Sequence, residues 1–114
     1  MTDCLFCKII TREIPGAIVY EDDHLLAFND INPQAPTHVL LVPKRHIASP
    51  NDLTPEDDQI VGELARRAAA IARERGIAAG GYRLVFNTNR DAGQTVFHIH
   101  LHLLGGRSME WPPG

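Results

Sequence analysis

The sequence predicts an α+β fold: a five-stranded antiparallel sheet with one long helix packed across it. Three observations carry this. Short apolar or alternating runs at residues 17–21, 25–29, 38–43, 82–87 and around 98–104 have strand length, most are joined by links of hairpin length, and one amphipathic stretch from Thr54 has the three-and-four spacing of a helix. The resulting order, three strands, helix, two strands, suits an antiparallel sheet with the helix on one face. The other face, or an edge, is left for a site or a second subunit.

The elements follow in order along the chain. After an apolar opening, Leu5-Phe6-Cys7-Lys8-Ile9-Ile10, the segment Glu13-Ile14-Pro15-Gly16 reads as a turn, because proline fixes φ and glycine permits positive φ. The polar tip Asp22-Asp23-His24 separates the first two strands. Asn32-Pro33-Gln34-Ala35-Pro36 then bends the chain into a third, Val/Leu-rich strand with the look of a buried one. Thr54 is placed to cap the helix, Pro55 occupies its first position, and Glu56, Asp57 and Asp58 complement the positive end of its dipole. Apolar Ile60, Val61, Leu64, Ala65, Ala68, Ile71 and Ala72 form one stripe, so Arg66, Arg67, Arg73 and Arg75 face solvent. Gly76 ends the helix near Arg75. Gly80-Gly81 precedes the fourth strand, and a polar turn from Thr88 to Gln94 leads into the last.

At 114 residues the chain, 1–114, is read as one domain with one core, small enough to gain from a partner subunit over its sheet. The apolar fraction of 44% and charged fraction of 22% are those of a soluble globular protein, and the lack of a long apolar run or signal-peptide pattern points to the cytoplasm. A formal charge of −3 gives no electrostatic footprint for a nucleic-acid polymer, whereas a small nucleotide needs only a local phosphate site.

Half of the six histidines lie within five residues, His98-Ile99-His100-Leu101-His102. Strand geometry puts the three imidazoles on one face and Phe97, Ile99, Leu101 and Leu103 on the other, towards the core. Neighbouring histidines would stand roughly 7 Å apart at Cα and the outer pair roughly 13 Å, so two can share an ion and three in line cannot readily do so. A neutral imidazole is also a nucleophile towards phosphorus, and its neighbours can bind phosphate oxygens or protonate a leaving group. Just upstream, Gly93-Gln94-Thr95 offers a tight turn, backbone N–H groups and a hydroxyl, features that hold phosphates. Spacing alone leaves metal binding and nucleophilic catalysis both open.

The pattern His-φ-His-φ-His-φ-φ, with φ apolar, resembles the signature of the histidine triad superfamily of nucleotide hydrolases and transferases. Lys8-Ile9-Ile10, Glu13-Ile14-Pro15, Asp30-Ile31, Pro33 to His38, Gly93-Gln94 and the ending Gly105-Gly106-Arg107 to Gly114 look like its Hint branch, the histidine triad nucleotide-binding proteins. The resemblance implies a homodimer with joined sheets, a short N-terminal helix, and hydrolysis of a purine nucleoside 5′-monophosphate derivative, such as a phosphoramidate, through a nucleotidyl-histidine intermediate. By this matching His100 is the nucleophile, His102 attends the phosphate and leaving group, and His38 orients the nucleophile. Asp30 takes the ribose hydroxyls, Leu5, Phe6, Ile9, Phe28 and Leu40 wall the base, Asn87, Gln94, Thr95 and the backbone of Val96 hold the phosphate, and Trp111 lies near the leaving group. Thr95 stands where the family often has serine, and Thr88, Asn89, Arg90 and Ala92 where it has glycine or acidic residues, which bears on leaving-group preference. Other readings are a nucleotide-binding or regulatory module with little turnover, a dinucleoside polyphosphate hydrolase or nucleotidyl transferase of the same superfamily, and a hydrolase with catalytic zinc.

Cys4-Leu5-Phe6-Cys7 has the spacing of half a zinc site and needs two more ligands. The resemblance to zinc-containing bacterial relatives implies that these are His46, after Pro43-Lys44-Arg45, and His98. Such an ion would be structural, since all four positions are filled. A thioredoxin-like use of the cysteines lacks its βαβ context. His24, Lys44 and Arg45 read as solvated groups at strand ends.

Overall fold

The computed structural model describes residues 3–114. A short helix α1 (Leu5–Ile10) is followed by β1 (Ile18–Glu21), β2 (Leu25–Asn29) and β3 (Thr37–Pro43), the long helix α2 (Asp58–Glu74), β4 (Tyr82–Phe86), a single-turn helix α3 (Asn89–Ala92) and β5 (Leu101–Gly105). The five strands form one sheet in the order β1-β2-β3-β5-β4, and every neighbouring pair is antiparallel. No helix among the described residues is long and apolar enough to cross a membrane.

Strand alternation divides the sheet into two differently used faces. On one, Leu25, Ala27, Val39, Leu41, Leu101 and Leu103 pack against Leu64, Ala68, Ile71 and Ala72 of α2. On the other, Leu26, Phe28, Leu40 and Val42 are covered by Phe6 and Ile9 of α1. Because α1 is only six residues long, it covers part of that face and leaves the end near His38 and His102 for a cleft. β3, central and covered on both sides, is buried at every position, which explains its unbroken apolar run.

The long helix begins one turn later than its capping signals suggest. Thr54 and Asp57 form a capping box around a 3-10 turn at Pro55–Asp57, and α-helical geometry starts at Asp58. At the other end Gly76, with φ +75°, gives its N–H to Arg73 while Ile77 gives its own to Ala72, the double bond of a Schellman cap. Two expected facings change. Ala65 lies exposed beside the stripe, and Arg67 lies over the Tyr20 ring, 3.8 Å from its centroid, instead of standing free in solvent.

The last strand departs most from expectation. Its ladder with β3 runs from Thr37↔Gly105 to Leu41↔Leu101 and stops, so His102 alone of the row lies within β5. Continued, that register would set Ile99 opposite Pro43, which has no N–H to give. Instead the Ile99 N–H bonds to the carbonyl of Ile47, 2.6 Å away on the loop after β3. Ile99, Leu101 and Leu103 are buried as expected, but so are His98 and His100, and burial alternates only from Leu101 on. Phe97, expected in the core, is half exposed.

Candidate active site and metal cluster

The row of histidines feeds two clusters. In the first, Cys4, Cys7, His46 and His98 bring their ligand atoms within 4.8 Å of one another. α1 supplies the cysteines, Cys4 as its N-cap and Cys7 one turn on; the Cys4 sulfur accepts the Cys7 N–H at 3.3 Å. The loop after β3 supplies His46. His98, fully buried, directs Nε2 to the carbonyl of Pro43 at 2.8 Å. That nitrogen therefore carries the proton, and Nδ1 presents a lone pair to the cluster.

The separations fit a tetrahedral ion. His98 Nδ1 stands 3.2 Å from His46 Nδ1, 3.3 Å from Cys4 Sγ and 3.5 Å from Cys7 Sγ, and Cys7 Sγ is 3.4 Å from His46 Nδ1. Zinc bond lengths of about 2.0–2.1 Å to nitrogen and 2.3 Å to sulfur make tetrahedral edges of about 3.3–3.8 Å. Burial and then the neighbouring Cys4 push the Cys7 thiol up, and burial pushes His98 down to about 4. A divalent ion would draw the thiol protons off, and neutral His98 offers its Nδ1 lone pair to such an ion.

The second cluster, Asp30, His38 and His102, also gathers three ligand-type groups. Its hydrogen bonds argue against a metal. The backbone N–H of Gln34 donates to His38 Nδ1 at 3.0 Å, so the proton of neutral His38 sits on Nε2. From there it is given to His102 Nδ1 at 2.9 Å, with Asp30 Oδ2 further off at 3.4 Å. A metal would need the Nε2 lone pair that this proton occupies. His102 in turn must carry its proton on Nε2, and that nitrogen is buried with no partner among the described residues. An orphaned buried donor is rare enough to point to a ligand oxygen.

His100 lies between the clusters. Its Nδ1 donates to the carbonyl of His98 at 2.8 Å, which leaves Nε2 as the basic, nucleophilic nitrogen. The edge of Phe6 meets the His100 ring almost perpendicularly, with centroids 5.0 Å apart, and the His102 ring is 4.9 Å away. Burial lowers the pKa of His38 and of His100, and burial followed by the charges of His100 and His38 pushes His102 down to about 4. The three rings are thus neutral at physiological pH.

His100 and His102 open on a cleft of about 550 Å³ with a mainly apolar lining. Of the residues picked out in the sequence, Leu5, Phe6, Ile9, Phe28, Leu40, Asp30, Thr95 and Val96 also line it. His38 sits behind His102. Three others lie elsewhere. Half-buried Asn87 is outside the lining, and Trp111 is 83% exposed on the C-terminal segment. Gln94 is buried and its amide is already engaged: Oε1 accepts from Asn89 N–H, and Nε2 donates to the carbonyls of Ala48 and Val96. It fastens the turn before the histidine row to the loop after His46. Sequence reading missed the backbone groups of Gln34, Pro43 and Ile47, whose identity as residues carries no such signal. It also missed Ile14 and fully exposed Ile31 on the cleft rim. His24 and Lys44 are paired with Glu63 and Glu21, and Arg45 with buried Asp57.

The comparisons agree with this geometry. A family model described as scavenger mRNA decapping enzyme, C-terminal binding, matches residues 3–111. Similar proteins include an uncharacterized HIT-like protein of Synechocystis, 55% identical over 98% of this chain and 97% of the relative, and the purine nucleoside phosphoramidase of Escherichia coli, 54% identical over 94% and 90%. A crystal structure of a HIT family hydrolase from Legionella pneumophila superposes with a TM-score of 0.97 at 55% identity, covering 98% of this chain and all of that one.

The low pKa of His102 makes stability depend on pH. Its folded value near 4 lies below the unfolded value near 6.5, so its contribution is complete above about 6.5 and lost as the pH falls towards 4. Urea midpoints measured from pH 7 down to 4.5 should fall, and His102→Gln should fall less steeply than wild type.

Proposed function

Because this chain belongs to the histidine triad (HIT) family of hydrolases, we propose that it hydrolyses purine nucleoside phosphoramidates and related 5′-monophosphate derivatives through a covalent intermediate on His100. The observation that carries this reading is the pair of fixed tautomers in the cleft, a lone pair on His100 Nε2 beside an unpartnered donor on His102 Nε2. One suits attack on phosphorus and the other suits a phosphate oxygen. The relative named purine nucleoside phosphoramidase supports the substrate class.

In the proposed reaction the base lies among Leu5, Phe6, Ile9, Phe28 and Leu40, the ribose hydroxyls bond to Asp30, and the phosphate meets Thr95, the Val96 backbone and His102. His100 Nε2 forms a bond to phosphorus as the phosphorus–nitrogen bond breaks, and the departing amine takes a proton from solvent. Water then attacks the phosphorus of the adduct, its proton returns to solvent, and the bonding pair returns to His100 Nε2. Gln94 holds the phosphate turn in place without touching substrate.

We assign zinc to Cys4, Cys7, His46 and His98, on the tetrahedral spacing of their donor atoms. When bound it supplies a cross-link between α1, the loop after β3 and the approach to β5, with no open coordination position for chemistry. We also assign a homodimer paired along β4, an edge strand whose Leu84 is 38% exposed.

Three measurements test these assignments. Incubation with adenosine 5′-phosphoramidate should release AMP, and His100→Ala should lower the rate by three or more orders of magnitude, on the scale of losing a covalent nucleophile; retained turnover would sink the scheme. Metal analysis should find one zinc per chain, with His98→Ala losing it and unfolding at a lower temperature, whereas catalytic zinc would show as loss of rate on chelation with no loss of fold. Sedimentation should give twice the 12.6 kDa chain mass, and Leu84→Asp should shift the species towards the monomer.

A further inference from the structure

The loop between β2 and β3 carries more than the ribose-facing Asp30. Its backbone sets where the His38 proton sits, and it is tied down by a chain of hydrogen bonds. The Asp30 N–H bonds to the His38 carbonyl at 2.9 Å, Asn32 N–H to Asp30 Oδ1 at 2.9 Å, and the Gln34 side-chain amide to the Asn32 carbonyl at 3.0 Å. One tether comes from outside the loop. Arg107 Nε donates to the Gln34 carbonyl at 3.1 Å, while its Nη1 donates to the Ser108 carbonyl at 3.0 Å and so holds the guanidinium in place. Beside it, Gly106 at φ +91° sits so close to Pro36 that a Cβ would stand 2.9 Å from the proline ring. The C-terminal segment therefore presses on both ends of the Gln34 to Pro36 bend.

We propose that Arg107 is a positioning residue for the reaction: by fixing the carbonyl of the Gln34–Ala35 peptide it restrains the backbone of Gln34, whose N–H, in the preceding peptide, keeps the His38 proton on Nε2 and, through it, the His102 proton on Nε2. The inference rests on reading His102 as the phosphate donor beside His100.

The logic is one of matched donors and acceptors. A neutral imidazole has one proton and two nitrogens, and its neighbours decide between them. If the Gln34 N–H turns away, His38 can take its proton on Nδ1, and Nε2 then becomes an acceptor. His102 must answer by placing its own proton on Nδ1, which removes the donor that faces the phosphate and leaves a lone pair there. Lone pair against phosphate oxygen is repulsive, so the same rings in the same places would no longer suit the transition state. Arg107 touches neither the cleft lining nor any of the three histidines. Its effect should therefore fall on turnover and not on capture of the nucleoside.

The test uses the zinc-loaded, full-length protein labelled with ¹⁵N, in wild-type, Arg107→Ala and Arg107→Lys forms. Long-range proton–nitrogen spectra of the histidine rings at neutral pH should show His38 Nδ1 as an unprotonated nitrogen and Nε2 as a protonated one in the wild type. Arg107→Ala should move both shifts towards the average of the two tautomers. It should also lower kcat on adenosine phosphoramidate by about three- to tenfold, the scale of one ordinary hydrogen bond lost, with KM little changed. Arg107→Lys, which keeps a donor for the Gln34 carbonyl, should recover part of both. An alanine variant with wild-type ring shifts overturns the proposal, whatever its rate, and so does one whose loss lies in KM. Should the wild type fail to turn the phosphoramidate over, it is the functional reading that falls, while the ring shifts still decide whether Arg107 holds the tautomer.

Discussion

The organisation of the site depends on one residue facing two ways. The His98 ring gives its Nε2 proton to the Pro43 carbonyl and turns Nδ1 to the cysteines, while its own carbonyl takes the Nδ1 proton of His100. Without the first bond the tautomer of His98 would be free and its donor atom could be capped by a proton. Without the second, His100 could carry its proton on either nitrogen. Two backbone carbonyls thus sort four imidazole nitrogens into two donors and two lone pairs, using bonds of 2.8 Å. Moving His98 moves both the Cys4, Cys7 and His46 cluster and the His100 ring.

The sheet makes this arrangement available. Antiparallel pairing of β3 and β5 brings residues 38 and 102, far apart in sequence, onto one face, with Leu40 opposite His102. Pro43 ends the ladder at the point where the histidine row must leave the sheet, and its free carbonyl then serves the His98 ring. Helix α2 buries the opposite face, so the core does not compete with the cleft for the same side chains. α1 closes the layer on the cleft side and contributes two thiols and a phenyl edge from within six residues. Its apolar side chains, the metal donors and the cleft wall are placed by one short helix that could not hold its shape alone. Burial of Phe6 and Ile9 supplies what helix propensity does not.

Much of this was legible in the residues, and what was not has a common cause. The alternation of Ile99, Leu101 and Leu103 with the histidines foretold that these three would be buried, but His98 and His100, outside the strand, are buried as well, so the two-faced pattern holds only from Leu101 on. The helix start at Thr54 and its stop at Gly76 were readable because capping depends on the local residue, although the capping box and the Schellman bonds themselves came only with the fold. The Cys4 and Cys7 spacing announced a half-site, but the partners His46 and His98 come from loops whose meeting depends on where the β3–β5 ladder ends. The proton order of His38 and His102 was not readable at all. It depends on the backbone N–H of Gln34, and any residue other than proline has one. Gln94 shows the same limit from the other side: its amide looks suited to a phosphate, yet in the fold every hydrogen bond it makes is to the backbone.

The two histidine clusters also show how one side-chain type can be committed to different chemistry without any change in composition. Both place imidazole nitrogens about 3 Å apart, at 3.2 Å between His46 and His98 and 2.9 Å between His38 and His102. In the first, the pull of Pro43 on the far nitrogen leaves a lone pair facing inward, and the neighbours are thiols, so a cation satisfies every group. In the second, Gln34 donates to the far nitrogen, so a proton fills the space between the rings and the unmet need passes outward to His102 Nε2. Under the proposed reaction a phosphate oxygen would pair with that donor, so the proton order of the two rings suits an anionic ligand. The same need disfavours a cationic or apolar group at that position, and no lysine or arginine lines the cleft. In the proposed reaction, recognition of phosphate by a neutral donor would leave the adjacent His100 uncharged, which is the form of the ring that attacks.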